Sequence, residues 1–298
     1  MFPHFEQMKD AMVLRNSLAP YIYTAARQHY DSGVGLLRPL YYEYPELDEA
    51  YDWAATQYFF GDDMLVAPIS TASSDPHPYV GVSRKDVWVP EGSWVEWGGS
   101  TTHVGPAVLS RNYTLSEIPI LVRAGAVVPL KTMASVAESA PDPLVWAIFV
   151  PAGEQTIASG RGAAYEDDGE SMAYEHEAGH TLELSYAGDW AATVAVTIAG
   201  TSARTTRGHA LQLRGLQQHA ERELLGVMVN GEARLARLPD TAELVETRTE
   251  ALGWWLHTEQ SLSTPAQSVV VNLGQHKTDA PLTVELTFGK SDDQARAV

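Results

Sequence analysis

The chain has 298 residues, of which 45% are apolar, enough for two or three small domains with their own cores. It contains no cysteine, which excludes disulfides, thiolate metal sites and cysteine nucleophiles together. With 20 basic against 38 acidic residues the formal net charge is −18, so nucleic acid and anionic membranes are not expected as partners, because both would be repelled. No apolar run approaches the length of a membrane span, and nothing in the composition assigns a cellular compartment.

Residues 5–31 carry the clearest helical pattern. Apolar side chains from Phe5 to Ile22 recur mostly at three- and four-residue steps, with charged and amide side chains between them. Pro20 lacks an amide hydrogen and clashes with the preceding turn, so the pattern predicts two helical pieces. The sequence DSG at 31–33 predicts the end of the second piece.

Two short strands are predicted next. The first covers 36–44, where a mostly apolar and aromatic run is typical of a strand buried on both faces of a parallel sheet. Pro39 inside this run favours a strand end or an edge position. The second covers 64–69 and follows the turn sequence GDD at 61–63. A helix followed by a strand makes an αβ unit.

The rest of the chain has the pattern of an all-β protein. Short apolar runs at 87–90, 94–97, 107–109 and 118–129 alternate with turns rich in Gly, Ser and Pro, and a polar linker is predicted at 131–143. Further strands are predicted at 144–150, 181–187, 191–199, 224–230, 253–258, 267–273 and 281–288. The dipeptide Asn230-Gly231 predicts a type I′ hairpin. Segment 201–222, with its many Arg, Gln and His residues, is predicted to be a loop.

Three blocks, in this order, resemble glycoside hydrolase family 31, the retaining α-glucosidases and α-xylosidases. The first is LLRPLYYEYP with QYFFGDDMLVAP, at 36–45 and 57–68. The second is DVWVPEGSWVEW with IPILVRAG, at 86–97 and 118–125, and the third is AYEDDGES at 164–171. The resemblance implies a mainly β fold. The end of a (β/α)8 barrel, an αβα remnant over 1–60, would precede two β-sandwich domains at 61–135 and 144–290.

The resemblance also implies the chemistry. Family 31 enzymes hydrolyse α-linked glucosides or xylosides with retention, and no cofactor is expected. Their nucleophile and acid/base aspartates lie on middle barrel strands, and no position here matches either motif. A complete barrel needs about 250 residues. This chain alone is therefore predicted to be inactive, with an α-linked oligosaccharide bound through the missing barrel and an upstream catalytic polypeptide as partner.

Two other hypotheses stay open. The chain is either a non-catalytic carbohydrate-binding or interaction protein that uses its tryptophans, or a subunit of a split glycosidase. If barrel segments are missing, the apolar faces of residues 5–60 are expected to be exposed, with aggregation that is relieved by starting the chain near Gly61.

Few side chains qualify as site residues. Arg38 is the one substrate-binding candidate, and a buried pairing with a carboxylate is favoured over a sugar contact. Retaining glycosidases need two carboxyl groups about 5–5.5 Å apart, but the pairs Asp62/Asp63 and Asp167/Asp168 are predicted to form turns. No catalytic residue is assigned.

The sequence also contains letters typical of a metal site and tryptophan pairs that could stack on sugars. The sequence HEAGH at 176–180 has the letters of the zinc-protease motif His-Glu-x-x-His, which requires a helix. Gly179 and the strand that follows favour a polar connection instead, so no metal site is predicted. The pairs Trp94/Trp97 and Trp254/Trp255 are predicted to fill cores rather than stack on sugars.

Overall fold

The computed structural model describes residues 4–70, 82–98, 101–132, 143–151, 157–176, 179–202, 204–216, 223–238, 240, 252–259 and 266–289. The helices are α1 Phe5–Ser17, α2 Ala19–Ser32, α3 Leu40–Glu43 and α4 Asp48–Asp52. The strands are β1 Leu37–Arg38, β2 Tyr58–Phe60, β3 Met64–Val66, β4 Val82–Glu96, β5 Thr102–Thr114, β6 Ile120–Arg123, β7 Val127–Lys131, β8 Leu144–Phe149, β9 Ile157–Glu166, β10 His180–Asp189, β11 Thr193–Gly200, β12 Thr206–Arg214, β13 Glu223–Val229, β14 Ala233–Leu235, β15 Gly253–Glu259, β16 Ala266–Lys277 and β17 Leu282–Gly289. No helix in these ranges is long and apolar enough to cross a membrane.

The helical region divides where proline predicts it. Helix α1 ends at Ser17, and Pro20 occupies the first turn of α2, where its missing amide hydrogen costs nothing. Gly33 ends α2 with φ of 77°, a left-handed conformation that glycine adopts without strain. The prediction of two helical pieces is confirmed.

The strand predicted at 36–44 is wrong beyond its first residues. Only Leu37 and Arg38 form a strand, and Leu40–Glu43 is a short helix that begins after Pro39, which has φ of −65°. Strand β1 pairs antiparallel with β2, and Leu37 is 62% exposed, so this strand is not buried on both faces. The apolar run indicated burial correctly for Leu40, whereas Pro39 removed the amide hydrogen that a longer ladder needs.

Three sheets build the rest of the described chain. A six-stranded sheet has the order β1-β2-β3-β6-β4-β5, and a second has the order β14-β13-β17-β11-β10-β9. A five-stranded sheet, β15-β16-β12-β8-β7, lies between them in space, although its strands alternate along the chain with those of the second six-stranded sheet. The mainly β prediction is confirmed, whereas the (β/α)8 remnant stays a prediction.

The five-stranded sheet is covered on both faces. One face packs against the second six-stranded sheet in the largest core, which includes Trp146, Leu211 and Trp190. The other face packs against the helices and the first six-stranded sheet, through Phe149, Leu18 and other side chains of a second core. Every residue of β7 and β8 is buried for this reason. A third core joins the outer face of the first sheet to α3 and α4.

The loop predicted at 201–222 is wrong over Thr206–Arg214, which form strand β12. Polar residues made the segment look exposed, but they are buried and paired. Arg214 donates from Nη1 to the Trp97 carbonyl oxygen at 2.7 Å, and its guanidinium lies 4.9 Å from the Trp97 ring. Gln212 donates to Ser268 Oγ at 3.0 Å. Strand β12 is buried on both faces and has polar partners on one of them. Its sequence therefore shows neither a continuous apolar run nor the alternation of apolar and polar residues that predicts a strand.

Most of the other strands after residue 143 were predictable from the sequence. Those predicted from 144 onward are confirmed as β8, β10, β11, β13, β15, β16 and β17. Asn230 and Gly231 have φ of 52° and 69° between β13 and β14, which confirms the type I′ hairpin. Strand β9 was not predicted, because its glycines resemble a loop. A Cβ at Gly162 would lie 2.2 Å from the Val127 carbonyl oxygen, so glycine is required for close packing. Most of the predicted linker lies outside the described residues.

Candidate functional site

Arg38 joins three segments near the beginning of the chain. It is only 4% exposed. Its Nε donates to Glu43 Oε1 and its Nη2 to Asp62 Oδ1, both at 2.8 Å. Its remaining donors reach the carbonyl oxygens of Gly35 and Gly61, at 3.0 and 3.1 Å. The guanidinium therefore ties the approach to β1, helix α3 and the β2–β3 turn together. This is the carboxylate pairing that the sequence favoured, and a sugar contact by Arg38 stays a prediction.

A second acid and a tyrosine lie beside this cluster. Burial, followed by the neighbouring Asp62 carboxylate, raises the pKa of Asp63 to about 6, although Arg123 and Arg38 oppose the shift. The Tyr21 hydroxyl donates to the Phe60 carbonyl oxygen at 3.1 Å, and burial raises its pKa. The two adjacent aspartates therefore differ. Asp62 is paired with Arg38, whereas the raised pKa of Asp63 makes its carboxylate easier to protonate than usual.

Large apolar side chains are exposed on the helices that precede this cluster. Phe5, Met8 and Met12 are 46%, 61% and 66% exposed, and their spacing places them along one side of α1. No residue of α1 is buried. The Tyr41 and Tyr51 rings, both exposed, stack at 5.1 Å with an interplanar angle of 11°. The expected exposure of apolar faces over residues 5–60 is therefore met for α1 and for these tyrosines, whereas Leu18, Leu40 and Phe59 of the same segment are buried in cores.

Helix α2 also contacts the end of β9 and the short 3-10 helix that follows it. Thr24 Oγ1 accepts a hydrogen bond from the Tyr165 amide at 2.9 Å, and the Arg27 guanidinium lies 5.1 Å from the Tyr165 ring. Arg27 Nη1 donates to the Tyr174 carbonyl oxygen at 3.0 Å. Sequence reasoning missed these contacts, because the partners are far apart in the chain and each segment alone resembles an ordinary helix or turn.

The acidic pair in the turn after β9 shapes the backbone. Asp168 accepts hydrogen bonds from the amides of Glu170 and Ser171 at 3.1 and 3.0 Å, and from Ser171 Oγ at 2.5 Å. These bonds lower the pKa of Asp168. Asp167 Oδ1 accepts from the Gly169 amide at 2.9 Å. The predicted role of both aspartates as turn formers is confirmed.

The letters of the zinc motif do not form a helix in the described residues. His176 follows a short 3-10 helix, Ala173–Glu175, and His180 begins strand β10. Glu177 and Ala178 lie outside the described residues. Within the part of the chain that the structure describes, no group of three or more His, Cys, Asp or Glu side chains is placed to hold a metal ion.

The tryptophans of both predicted pairs are core residues. Trp94 and Trp97 are 0% and 9% exposed, and Trp254 and Trp255 are 6% and 2% exposed. Trp94 packs on Phe59 with ring centroids 6.1 Å apart. This confirms the interpretation that they fill cores, and it removes their ring faces from contact with a sugar.

The segment with Arg38 and the first six-stranded sheet also matches a known domain. The model of the glycosyl hydrolase family 31 C-terminal domain matches residues 33–128. The chain carries the C-terminal domain of glycosyl hydrolase family 31. The matched segment of this family 31 chain runs from the end of α2 into β7, and therefore includes the Arg38 cluster and its exposed aromatic neighbours.

Related proteins extend the match beyond this domain. The family 31 chain is 31% identical over 173 residues to a 1,6-α-glucosyltransferase of Sporosarcina globispora, covering 57% of this chain and 12% of that protein. It is 28% identical over 183 residues to a probable α/β-glucosidase of Neosartorya fischeri, covering 61% of this chain and 19% of that protein. The chain thus corresponds to less than a fifth of either relative's length.

A solved structure aligns with nearly all of the family 31 chain. The dextranase of Flavobacterium johnsoniae, solved with isomaltotriose, superposes on 95% of this chain and 32% of its own chain, with a TM-score of 0.73 and 23% identity. At this identity the likeness concerns the fold. The structural likeness extends over the three sheets of the present structure. Because the chain carries a family 31 domain, it is a glycosidase-family protein.

Proposed function

We propose that the chain is the C-terminal portion of a retaining α-glycosidase that hydrolyses α-linked glucosides or xylosides. In this proposal, residues 1–60 complete a catalytic (β/α)8 barrel, and 61–135 and 144–290 are two β-sandwich domains. The catalytic carboxylates belong to the barrel, which an upstream catalytic polypeptide supplies, and the ligand is an α-linked oligosaccharide.

The exposed apolar side chains of residues 5–51 carry the proposal. A soluble domain seldom leaves a row such as Phe5, Met8 and Met12 uncovered on one side of a helix that buries none of its own residues. These residues directly precede and enter the segment that matches the family 31 C-terminal domain. A barrel that packs on them would bury this surface.

The match with relatives supports the same arrangement. A glucosyltransferase, a probable glucosidase and a dextranase each have much longer chains than the part that aligns here. Catalysis by two carboxylates requires a pair about 5–5.5 Å apart for retention. Asp62 is paired with Arg38, and Asp167 and Asp168 accept hydrogen bonds from the amides of their own turn. We assign these carboxylates a structural role, not a catalytic one.

The proposal is tested by assaying the chain with and without a barrel. The purified chain alone should release no 4-nitrophenol from 4-nitrophenyl α-glucoside or α-xyloside. The coding sequence upstream of Met1 should contain a barrel with two catalytic aspartates, and a protein that joins this barrel to the chain should hydrolyse one of the two substrates. Turnover by the chain alone, or an inactive joined protein that is folded, would contradict the proposal.

A further inference from the structure

The hairpin turn between β13 and β14 carries a reactive pair of residues. The chain has four asparagines, and only Asn230 is followed by glycine. Asn230 and Gly231 are both exposed, and a Cβ at Gly231 would have no heavy atom within 4 Å apart from those of its chain neighbours. Neither a side chain of its own nor a packed neighbour therefore shields the Gly231 amide nitrogen. This nitrogen can approach the side-chain carbonyl carbon of Asn230, Cγ, as an intramolecular nucleophile.

The turn needs one backbone rotation for this approach. The two atoms close a five-membered ring, so the nitrogen must lie on the same side of Asn230 as its Cβ, which requires ψ of about −120° at Asn230. The first central residue has φ of about +60° in both primed turn types, whereas its ψ is about +30° in type I′ and about −120° in type II′. Asn230 already has φ of 52°. Rotation of the 230–231 peptide plane from the type I′ to the type II′ arrangement therefore brings the nitrogen toward Cγ.

The hydrogen bonds of the turn allow this rotation. Gly231 has φ of 69° and must reach about −80°, and glycine adopts both signs of φ without a steric penalty. The Glu232 amide donates to the Val229 carbonyl oxygen at 3.0 Å, and this bond closes both turn types, so it is kept. Among the described residues, neither the Asn230 carbonyl oxygen nor the Gly231 amide has a backbone hydrogen bond that the rotation would break.

The side-chain amide of Asn230 is polarised by the neighbouring strand β17. Its Oδ1 accepts a hydrogen bond from the Thr283 amide at 3.0 Å, and the Thr283 hydroxyl donates to the same oxygen at 3.4 Å. Negative charge develops on this oxygen when a nucleophile adds to Cγ. Donors that already point at the oxygen stabilise that charge, so they favour the attack.

We propose that Asn230 is a site at which the folded chain modifies itself by losing its side-chain amide. The Gly231 nitrogen gives its proton to solvent hydroxide and bonds to Asn230 Cγ. The bond from Cγ to Nδ2 then breaks, and Nδ2 takes a proton from water and leaves as ammonia. Water adds to either carbonyl carbon of the cyclic imide and opens it to aspartate or to isoaspartate, whose backbone runs through Cβ and Cγ. In total one water is consumed and one ammonia is released, without any oxidant or reductant.

The modification changes one edge of the second six-stranded sheet. Either product adds a negative charge, and isoaspartate also adds one carbon atom to the backbone inside the turn. Strand β14 is the edge strand of this sheet, and its pairing begins with Val229 opposite Ala233, directly beside the turn. A longer turn removes this register, so β14 and the cover that Leu235 gives to the largest core should loosen. This chemistry needs neither a barrel nor a sugar, so it is independent of the proposed function.

The test follows the full 298-residue chain during incubation at neutral and mildly alkaline pH. Peptide mass spectrometry measures amide loss at each asparagine, and methyl transfer by a protein isoaspartate methyltransferase detects isoaspartate. Asn230 should lose its amide at least about tenfold faster than Asn16, Asn112 and Asn272. The rate should rise with pH, because the attacking nitrogen must lose its proton. It should also stay within about tenfold of the rate in the urea-unfolded chain, since the folded turn permits the attack.

Two glycine variants separate the turn from the rest of the hairpin. Gly231→Ala places a methyl group beside the attacking nitrogen in open space, and it should slow amide loss at least about tenfold. Gly226→Ala on β13, where a Cβ would meet its nearest atoms at 4.0 Å, is the matched control and should react like the unchanged chain. Asn230→Gly keeps the positive φ without the amide, so hydrogen exchange in β14 should not increase during incubation, as it should in the unchanged chain.

Three results would overturn the proposal. The first is an amide at Asn230 that lasts as long as those of the other three asparagines. The second is a folded chain that reacts more than about 100-fold more slowly than the unfolded chain, because the turn would then protect the amide. The third is equal amide loss in the Gly231→Ala and Gly226→Ala variants.

Discussion

The Tyr23 hydroxyl lies between the two carboxylate oxygens of Asp167, at 2.6 and 2.7 Å, and donates its one hydrogen to this carboxylate. The two residues are 144 positions apart. Burial, followed by this hydrogen bond, raises the pKa of Tyr23. The bond fastens helix α2 to the turn after β9.

Tyr23→Phe should therefore weaken the packing of helix α2 against the turn after β9. We expect a loss of about 1 kcal/mol in the free energy of unfolding, because a hydrogen bond to a charged but solvent-accessible group is removed. Urea denaturation followed by tryptophan fluorescence measures the loss, and limited proteolysis should cut faster in residues 5–32. Tyr30→Phe on the same helix is the control; an equal loss in both variants would contradict a specific role for the Asp167 bond.

Arg38→Met should be strongly destabilising. The substitution leaves Glu43, Asp62 and two carbonyl oxygens without their donor, although both carboxylates keep access to water. We expect a loss of about 2–4 kcal/mol, near the lower end for breaking a buried charge pair. Arg38→Lys should recover only part of it, because an ammonium group cannot reproduce the fork geometry. Arg84→Met, at an ion pair whose arginine is 71% exposed, should change stability by less than about 1 kcal/mol.

Asp63 should make stability fall as pH rises. Its pKa is raised from 3.8 to about 6 in the folded chain, so the folded state binds this proton more tightly than the unfolded state does. The contribution is complete below about pH 4 and is lost as pH rises through 6, amounting to at most about 3 kcal/mol. Asp63→Asn should remove this slope.

The measurement is the free energy of unfolding at half-unit pH steps from 4 to 7 for both proteins. Their difference cancels the titration of acids that both share. A difference that does not change with pH, or that changes with the opposite sign, would contradict the assigned environment of Asp63.

Arg207 and Glu166 should behave as one unit. Arg207 is fully buried, and its guanidinium pairs with the carboxylate of Glu166 across β12 and β9. Arg207→Met alone should cost about 3–5 kcal/mol, since it leaves the buried Glu166 carboxylate without its cation and with the Ser202 hydroxyl as its remaining described partner. The double variant with Glu166→Gln should recover part of this loss, as shown by a double-mutant cycle in urea. Strict additivity of the two single losses would rule out direct coupling.

The exposed row on α1 should drive self-association of the isolated chain. Met8→Gln with Met12→Gln should lower aggregation, measured by light scattering, with little effect on stability. Val104→Gln with Val108→Gln, at exposed positions of β5, is the matched control. From the sequence, a chain that starts near Gly61 was expected to aggregate less. It does not serve as a test here, because it lacks Phe59 and Leu40, which are fully buried in the third core.

Local sequence determined the features that depend on neighbouring residues. Pro20 divides the helices because it lacks an amide hydrogen, and Asn230-Gly231 turns the chain because both residues tolerate positive φ. Alternating apolar residues identified strands with one solvent-exposed face, such as β11 and β17. The family 31 resemblance also lay in contiguous blocks.

Tertiary structure decided the features whose partners are distant in the chain. Strand β12 has polar residues that are stable inside only because Trp97, Ser268 and Glu166 meet them. The acceptors around Arg38 come from three segments of the chain. The contacts of Thr24 and Arg27 with Tyr165 and Tyr174 likewise form only where α2 packs against the end of β9. A buried polar group is stable only with a partner, and the sequence by itself does not place that partner beside it.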